Sequence, residues 1–148
     1  MFQIRGLRKC GEAHVIANSV NRLFVYGTLR RGSSNEYALE LAVASRFVGH
    51  GRIRGRLFRV THYPALVAPA NETDWVTGDL FENIGEELLQ RLDHYEGPEY
   101  IRVIVEVMLD DGQQLEAYLY FYQLPVEHLE LIPSGDWFHA SAQSSQPE

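Results

Sequence analysis

Residues 100–122 read YIRVIVEVMLDDGQQLEAYLYFY, and this stretch gives the clearest structural signal in the sequence. Every second residue of its first half is apolar: Ile101, Val103, Val105, Val107 and Leu109. The turn residues Asp110, Asp111 and Gly112 follow, and they are typical of a tight connection between antiparallel strands. A second alternating apolar set returns: Leu115, Ala117, Leu119 and Phe121. The stretch therefore predicts a β-hairpin with one apolar face on each strand.

Further strands are predicted on the amino-terminal side of this hairpin. Residues 23–26 form a short apolar run that ends at Gly27, as expected of a buried strand. Residues 46–60 alternate and carry three glycines, which favours a strand with bends. Residues 75–81 read as another strand, and the sequence His-Tyr-Pro at 62–64 reads as a turn or an edge.

Two helices are predicted beside these strands. Ser33 and Glu36 have the spacing of a capping box, so a helix is expected from there to Ala44. The second helix is expected over residues 83–95, with Asn83 as its cap and Gly97-Pro98 at its end. Its apolar face consists of Ile84, Leu88, Leu92 and Tyr95. The predicted fold class is α+β: a small mixed, largely antiparallel β-barrel or curled sheet with two main flanking helices.

The length of 148 residues fits one domain with one hydrophobic core. We assign that domain to residues 21–140. Residues 1–20 show no clear periodicity and are interpreted as an amino-terminal extension. Residues 141–148 are rich in Ser, Gln and Pro, and we expect a disordered tail there.

The formal net charge of −7 argues against a general nucleic-acid binder, which usually presents a basic patch. Four arginines do cluster at 52, 54, 56 and 59, but their spacing indicates the solvated side of a strand. No apolar run approaches the roughly 20 residues that a membrane span requires. Cys10 is the single cysteine, so no disulfide within the chain is possible, and we expect a cytoplasmic protein in a reducing compartment.

The segment Tyr26-Gly27-Thr28-Leu29 is one candidate for a binding loop. A buried strand leads directly into a glycine, which lets a ligand approach the backbone. Successive backbone N–H groups in such a loop can hold an anion. An ordinary turn between a strand and a helix explains the same residues, and the motif taken by itself favours that interpretation.

Glu96 is the candidate acid/base. It comes at the end of the second predicted helix, where the helix dipole disfavours a negative charge. Burial there would disfavour the charge further, and both effects raise the pKa of a carboxyl group toward neutrality. A solvated glutamate at a helix end is the competing interpretation. The six histidines show no metal-ligand spacing with a supporting carboxylate or cysteine, so no metal is expected.

Taken together, three motifs resemble the γ-glutamylcyclotransferase-like family, over a stretch from about Leu23 to Trp137. They are Phe-Val-Tyr-Gly-Thr-Leu at 24–29, Asp-x-x-Glu-Gly at 93–97 with Tyr-x-Arg at 100–102, and Gly-Asp-Trp at 135–137. The chain is most similar to the small branch that includes γ-glutamylamine cyclotransferases. The resemblance implies a small mixed barrel with flanking helices, as the periodicity does.

The resemblance also implies a reaction that needs no metal or cofactor. The substrate would be a small γ-glutamyl compound, held by the backbone N–H groups of residues 26–29 through its α-carboxylate. Glu96 would act as acid and base while the α-amine attacks the γ-carbonyl. The products would be 5-oxoproline and a free amine or amino acid.

Other roles stay open at this stage. Tyr63, Trp75 and Tyr120 could line the pocket for the leaving group, although core packing is favoured as the single role of each of them. Arg102 could orient Glu96 or pair with a surface acid, and Tyr100 could lie near the site. The alternatives to a cyclotransferase are a non-catalytic small-ligand-binding module on the same fold and a hydrolase that releases glutamate. The oligomeric state is not predicted.

Overall fold

The computed structural model of the protein describes residues 5–6 and 21–144, and side chains for residues 21–140. The described strands are β1 Arg5–Gly6, β2 Leu23–Val25, β3 Arg46–Arg54, β4 Arg56–Arg59, β5 Pro64–Val67, β6 Trp75–Glu82, β7 Tyr100–Leu109, β8 Gln114–Tyr122 and β9 Glu130–Leu131. The described helices are α1 Glu36–Ala44, α2 Glu86–Glu96 and α3 Trp137–Ser144.

Five strands close into a barrel in the order β7, β3, β6, β2 and β8, with β8 pairing back onto β7. Every contact around the barrel is antiparallel except that between β2 and β8, where Leu23 lies opposite Tyr118 in a parallel arrangement. The predicted α+β fold class is confirmed, and the barrel, rather than an open curled sheet, is the form it takes.

The predicted hairpin forms β7 and β8, paired from Tyr100 opposite Tyr122 to Met108 opposite Gln114. The alternating valines of β7 are buried inside the barrel, together with Ala117 and Leu119 of β8. The opposite face of β8 is also covered, because Tyr118 and Tyr120 pack in a second core beneath the helices. The strand β8 is therefore buried on both faces.

The predicted strand over residues 46–60 is two strands in two sheets. β3 belongs to the barrel and contains a bulge between Phe47 and Gly49. β4 starts after Gly55 and forms a small separate sheet in the order β5, β4 and β9. In that second sheet, Pro64 at the start of β5 lies at one end of the barrel, beside the loop after β2.

Both predicted helix starts are wrong by a few residues. α1 is capped by Asn35, whose side-chain oxygen accepts hydrogen bonds from the N–H groups of Tyr37 and Ala38. Asn83 has a positive φ of 62°, so it belongs to a turn, and α2 begins three residues later. The predicted end of α2 is confirmed, since Gly97 adopts a φ of 87° there.

A third helix, α3, begins at Trp137, the last residue of the Gly-Asp-Trp motif, and continues to Ser144, four residues into the segment predicted to be a disordered tail. Its start is fixed by the Asp136 carboxylate, which accepts hydrogen bonds from the N–H groups of Phe138 and His139. Residues 145–148 lie outside the described part of the chain. So do Cys10 and the rest of the predicted extension, apart from the short strand β1. No helix in the described ranges is long and apolar enough to cross a membrane.

Candidate active site

A cavity of about 270 Å³ opens at the end of the barrel where β2 finishes. It is lined by Phe24, Val25, Tyr26, Gly27, Thr28, Leu29, Tyr63, Pro64, Tyr95, Glu96, Glu99, Tyr100 and Tyr120. The volume lies near the lower end of the range of about 300–1,000 Å³ typical of small-molecule sites. The structure thus brings Glu96 and the whole of the loop at residues 26–29 to one cavity.

The loop at residues 26–29 is held close to the second sheet. Tyr26 is buried, and its hydroxyl donates to the backbone oxygen of Tyr120 at 2.6 Å. A Cβ atom on Gly27 would lie 2.6 Å from Cγ of Pro64, so only glycine fits against the proline ring. Within the described residues, the N–H groups of Thr28 and Leu29 have no hydrogen-bond partner. Two backbone donors are therefore available on residues that line the cavity.

Buried charges anchor the chain just after this loop. Asp79 on β6 is fully buried and accepts a hydrogen bond from the N–H of Arg31 at 2.8 Å. It also faces the Arg30 guanidinium at 3.5 Å and His50 Nδ1 at 2.8 Å. Arg30 reaches Asp136 at 3.0 Å as well. The same side chain thus ties the loop to the barrel wall and to the start of α3.

Glu96 is the last residue of α2, and its side chain is only partly exposed at the cavity wall. No group in residues 21–140 donates a hydrogen bond to its carboxylate. Burial, followed by the negative charge of Asp93, raises the pKa of Glu96 from 4.5 to about 7. The upward shift of the pKa of Glu96 agrees with the expectation from the sequence. The expected causes were the helix dipole and burial, whereas in the structure the causes are burial and the neighbouring carboxylate of Asp93.

Asp93 lies one helical turn before Glu96 and receives three hydrogen bonds. Arg102 donates to both of its oxygens, at 2.8 and 3.0 Å, and the Tyr120 hydroxyl donates at 2.7 Å. Burial lowers the pKa of Arg102, but the bond and charge of Asp93 outweigh it, so the net shift is upward. Arg102 is not among the residues lining the cavity; it pairs with a half-buried acid rather than contacting Glu96.

Tyrosine rings form much of the remaining wall. Tyr63 and Tyr100 meet edge to face at 6.3 Å between ring centroids, and the Tyr100 hydroxyl donates to the backbone oxygen of Pro64 at 2.7 Å. Burial, followed by the charge of Glu96, raises the pKa of Tyr100. Burial, followed by the charge of Asp93, raises that of Tyr120. Both hydroxyls therefore stay protonated at neutral pH and serve as hydrogen-bonding groups.

One residue predicted for the pocket lies elsewhere. Trp75 does not line the cavity; the guanidinium groups of Arg52 and Arg54 stack over its ring at 4.3 and 5.4 Å on the outside of the barrel. The prediction that it forms part of the leaving-group pocket is wrong. Trp75 begins β6 opposite Arg54 of β3, and the two arginine side chains of that strand cover its ring.

Three residues in or beside the cavity were not assigned a role from the sequence. Tyr95 lines the wall, accepts or donates a hydrogen bond with the Thr28 hydroxyl at 3.2 Å, and accepts one from Asn35 at 2.9 Å. Asp93 borders Glu96, and Glu99 lines the cavity. The motif around residues 93–100 contains all of them, but spacing along the chain did not show which side chains turn inward.

A carboxyl group with a pKa of about 7 can take up and release a proton near neutral pH. Backbone N–H groups on the opposite loop can hold an anion. A small substrate that carries a carboxylate at one end and a group undergoing proton transfer at the other would fit this arrangement.

Comparison with known proteins agrees with this geometry. Residues 23–139 match the family model described as gamma-glutamyl cyclotransferase, AIG2-like. The gamma-glutamylcyclotransferase family protein YtfP of Escherichia coli strain K12 is 35% identical over 119 residues, covering 78% of this chain and 95% of YtfP. A Methanocaldococcus jannaschii protein named as a candidate gamma-glutamylcyclotransferase is 33% identical over 117 residues, covering 78% of this chain and 93% of its own.

Solved structures show the same fold. The Bacillus subtilis protein YkqA superposes with a TM-score of 0.68 at 30% identity, over 85% of this chain and 43% of YkqA. The aig2-like protein of Mus musculus superposes with a TM-score of 0.66 at 25% identity, over 79% of this chain and 87% of the mouse protein. The matching stretch contains the barrel, the loop at residues 26–29 and Glu96. The chain belongs to the AIG2-like gamma-glutamyl cyclotransferase family.

Proposed function

We propose that the protein is a cyclotransferase that converts a γ-glutamyl amide into 5-oxoproline and a free amine or amino acid. The observation that carries the proposal is the position of Glu96, a carboxyl group with a pKa of about 7, on the same cavity as the loop at residues 26–29. The family membership of the chain supports the same reaction class.

In this proposal the loop holds the α-carboxylate of the γ-glutamyl group. The N–H groups of Thr28 and Leu29 have no other partner among the described residues, so they are available to donate to it. The tyrosine wall at Tyr63, Tyr100 and Tyr120 then surrounds the γ-carbonyl and the leaving group. Arg102 acts on the site through Asp93, not by touching the substrate.

Glu96 carries the protons. The substrate enters with its α-amine as an ammonium, and the ionised Glu96 removes one proton so that the nitrogen can attack the γ-carbonyl carbon. The new C–N bond closes the five-membered ring, and the old amide C–N bond breaks as the leaving nitrogen is protonated. Two protons move in all from the α-nitrogen to the leaving amine, and Glu96 is ionised at the beginning and at the end.

Acid/base help of this kind contributes about 10²–10⁴ to a rate. Holding the substrate in the conformation for ring closure contributes more, since effective molarities of well-oriented reactions reach about 10⁵–10⁸ M. Neither contribution requires a metal or a cofactor.

The test is 5-oxoproline release from a panel of γ-glutamyl dipeptides, glutathione, γ-glutamyl-ε-lysine and simple γ-glutamyl alkylamides. The wild type should release 5-oxoproline from at least one of them, and Glu96→Gln should reduce kcat by about 10²–10⁴. The matched control is Glu86→Gln, which makes the same change at an exposed site in the first turn of α2 and should leave kcat unchanged.

Product identity separates this reaction from its competitors. Free glutamate in place of 5-oxoproline would identify a hydrolase that uses Glu96 to activate water. Binding of γ-glutamyl compounds, seen as a rise in Tm without any product, would identify a non-catalytic binding module on the same fold.

A further inference from the structure

Three polar side chains form a chain of hydrogen bonds that ends at the cavity. Asn35 Nδ2 donates to the Tyr95 hydroxyl at 2.9 Å, and the Tyr95 oxygen lies 3.2 Å from Thr28 Oγ1. Tyr95 and Thr28 both line the cavity, whereas Asn35 does not. The direction of donation along this chain decides whether the Thr28 hydroxyl offers the cavity a hydrogen or a lone pair.

The direction is fixed at Asn35. Its side-chain oxygen caps α1 by accepting from the N–H groups of Tyr37 and Ala38, at 2.8 and 3.2 Å. Because those two groups are donors, the amide oxygen must face the helix and the NH₂ group must face Tyr95. The NH₂ group of an amide only donates, so the Tyr95 oxygen is the acceptor in that contact.

Tyr95 therefore keeps its own proton for a different partner. Its ring packs on that of Tyr37, with 4.3 Å between the centroids, so the position of the hydroxyl is constrained. Among the described residues, the other hydrogen-bond partner of this hydroxyl is Thr28. Donation from Tyr95 to Thr28 leaves the Thr28 proton without an acceptor in the described part of the chain, at a residue that lines the cavity. The Thr28 hydroxyl then joins the two backbone N–H groups of the loop as a third donor.

We propose that Asn35 is a positioning residue, which acts through Tyr95 to turn the hydrogen of the Thr28 hydroxyl toward the α-carboxylate of the substrate. This inference deepens the proposed function and rests on it, since it concerns the carboxylate that the loop at residues 26–29 holds. The role makes and breaks no covalent bond. A donor that is oriented in advance binds an anion more tightly, because less freedom is lost when the anion arrives.

Asn35→Asp reverses the chain and keeps the helix cap. Asp and Asn cap helices equally well, and a negative charge is favourable at the start of a helix, so the variant should be as stable as wild type. A carboxylate only accepts, so it takes the Tyr95 proton, and the Tyr95 oxygen then accepts from Thr28. A lone pair of Thr28 Oγ1 is left to face the substrate.

We expect Asn35→Asp to raise KM about tenfold, because a hydrogen bond to a charged group is lost. The α-carboxylate does not take part in the bond changes, so its contact is the same in the bound substrate and in the transition state. The kcat value should therefore stay within about twofold of wild type. A variant that has lost its structure would lower kcat as well.

The measurement is a double-mutant cycle. It uses KM for the best γ-glutamyl substrate of the panel above and Kd for 5-oxoproline, which carries the same carboxylate. Tyr95→Phe removes the link between Asn35 and Thr28 and frees the Thr28 hydroxyl to turn, so both constants should rise by about threefold at most. In the double variant, Tyr95→Phe should restore the constants of Asn35→Asp to within about threefold of wild type. Structural damage does not give such a rescue, because a second substitution adds to it.

The end of the chain is tested at Thr28. Thr28→Val removes the hydroxyl at similar volume and should raise KM about tenfold, whereas Thr28→Ser keeps the hydroxyl and should stay within about threefold of wild type. Asn71→Asp is the matched control for the change of charge. Asn71 is exposed, does not line the cavity and also accepts from a backbone N–H, that of Thr73 at 3.0 Å. This control should keep the wild-type KM and Kd.

The inference is overturned if Asn35→Asp leaves KM and Kd unchanged, if Tyr95→Phe does not reduce its effect, or if Thr28→Val binds as well as wild type. A lower kcat at unchanged KM overturns it too, because that result assigns the chain to the chemical step. The proposed function stands in each case where 5-oxoproline is still formed. If no γ-glutamyl compound yields 5-oxoproline, the proposed function fails and the Kd values decide the inference. A wild type that also fails to bind 5-oxoproline overturns both.

Discussion

Two carboxylates flank the loop at residues 26–29, and the protein treats them in opposite ways. Asp79 is fully buried, and it is surrounded by the Arg30 guanidinium, the N–H of Arg31 and the ring of His50. Glu96 is less buried, yet no group in the described part of the chain donates to it. The deeper carboxylate is thus satisfied, while the shallower one faces the cavity without a partner.

The difference indicates separate roles for the two carboxylates: one holds the loop in place, and the other is proposed to exchange a proton with the substrate. Donors around a buried carboxylate stabilise its charged form and fix its position. A carboxylate without donors, beside the second negative charge of Asp93, holds its proton more tightly and exchanges it near neutral pH. We assign Asp79 to structure and Glu96 to chemistry, and the following predictions test that division.

The largest expected effect on stability is that of Asp79→Asn. The change removes the charge that compensates the buried guanidinium of Arg30, and breaking a buried pair in this way costs about 3–5 kcal/mol. Arg30 keeps its contact with Asp136, so we expect a loss of about 3 kcal/mol in the free energy of unfolding, measured by urea denaturation.

Glu96→Gln is the matched comparison, because it also converts a carboxylate near the loop into an amide. It should not destabilise the protein at pH 8. Equal losses in the two variants would mean that both carboxylates are structural, and the distinction between them would be wrong.

The next effect is a change of stability with pH. Because the pKa of Glu96 is raised from 4.5 to about 7, the folded protein binds this proton more tightly than the unfolded chain. Its contribution to stability is fully present below pH 4.5 and is lost as the pH rises toward 7. Between pH 4.5 and pH 8, wild type should therefore lose up to about 3 kcal/mol relative to Glu96→Gln. Parallel stability curves for the two proteins would contradict the raised pKa.

A smaller effect concerns the acid limb of the pH–rate profile. If Glu96 must be ionised to accept a proton, kcat/KM should rise with pH along an acid limb whose midpoint is near pH 7. Asp93→Asn removes the neighbouring negative charge and leaves Arg102 unpaired, and both changes favour ionised Glu96. The limb should then move to lower pH, while in Glu86→Gln it should stay where it is in wild type. A limb that does not move in Asp93→Asn would show that Asp93 has no electrostatic influence on Glu96.

The smallest effect is expected at the exposed side of the Asp79 cluster. The side chain of His50 is 55% exposed, so its contact with Asp79 is accessible to solvent. His50→Gln should cost at most about 1 kcal/mol, measured by the same urea denaturation. A loss as large as that in Asp79→Asn would mean that His50, and not Arg30, is the main partner of the buried carboxylate.

Strands in which every second residue is apolar were predictable from the sequence, because this period is characteristic of a β-strand with one buried face. The hairpin of β7 and β8 follows its apolar pattern from Val103 to Leu119. The boundary between β3 and β4 was not predictable in the same way. Gly55 marks a change of sheet, and which strand each half joins depends on pairings with distant residues.

Helix ends were less predictable because several polar residues competed for each cap. Ser33, Asn35 and Asn83 are all good capping residues, and only Asn35 has that role in the structure. The start of α1 depends on where the preceding loop ends, and the contact of Arg30 with Asp79 fixes the position of that loop. That anchor joins residues 49 positions apart, so no local pattern reveals it.

The site was predictable as far as it depends on the backbone. The glycine at 27 and the helix end at 96 marked the loop and the acid as candidates, the family resemblance gave them their roles, and both line one cavity. The side chains around them were not predictable, because the orientation of Asp93 and Tyr95 depends on how α2 lies on the barrel, and that of Glu99 depends on the turn after α2. Trp75 was misplaced because an aromatic residue in a strand gives no indication of which side chains cover its ring, here those of Arg52 and Arg54.

The parallel contact of β2 with β8 has a consequence for how the protein is made. Leu23 lies beside Tyr118, so the barrel is closed by segments from near the two ends of the described chain. Arg30 likewise reaches Asp136 across 106 positions. During synthesis β2 can pair with β6 first, but it can contact β8 only after β8 has left the ribosome, and contacts between such distant segments form slowly. The end of the barrel that holds the cavity is thus closed only after most of the described chain has been made.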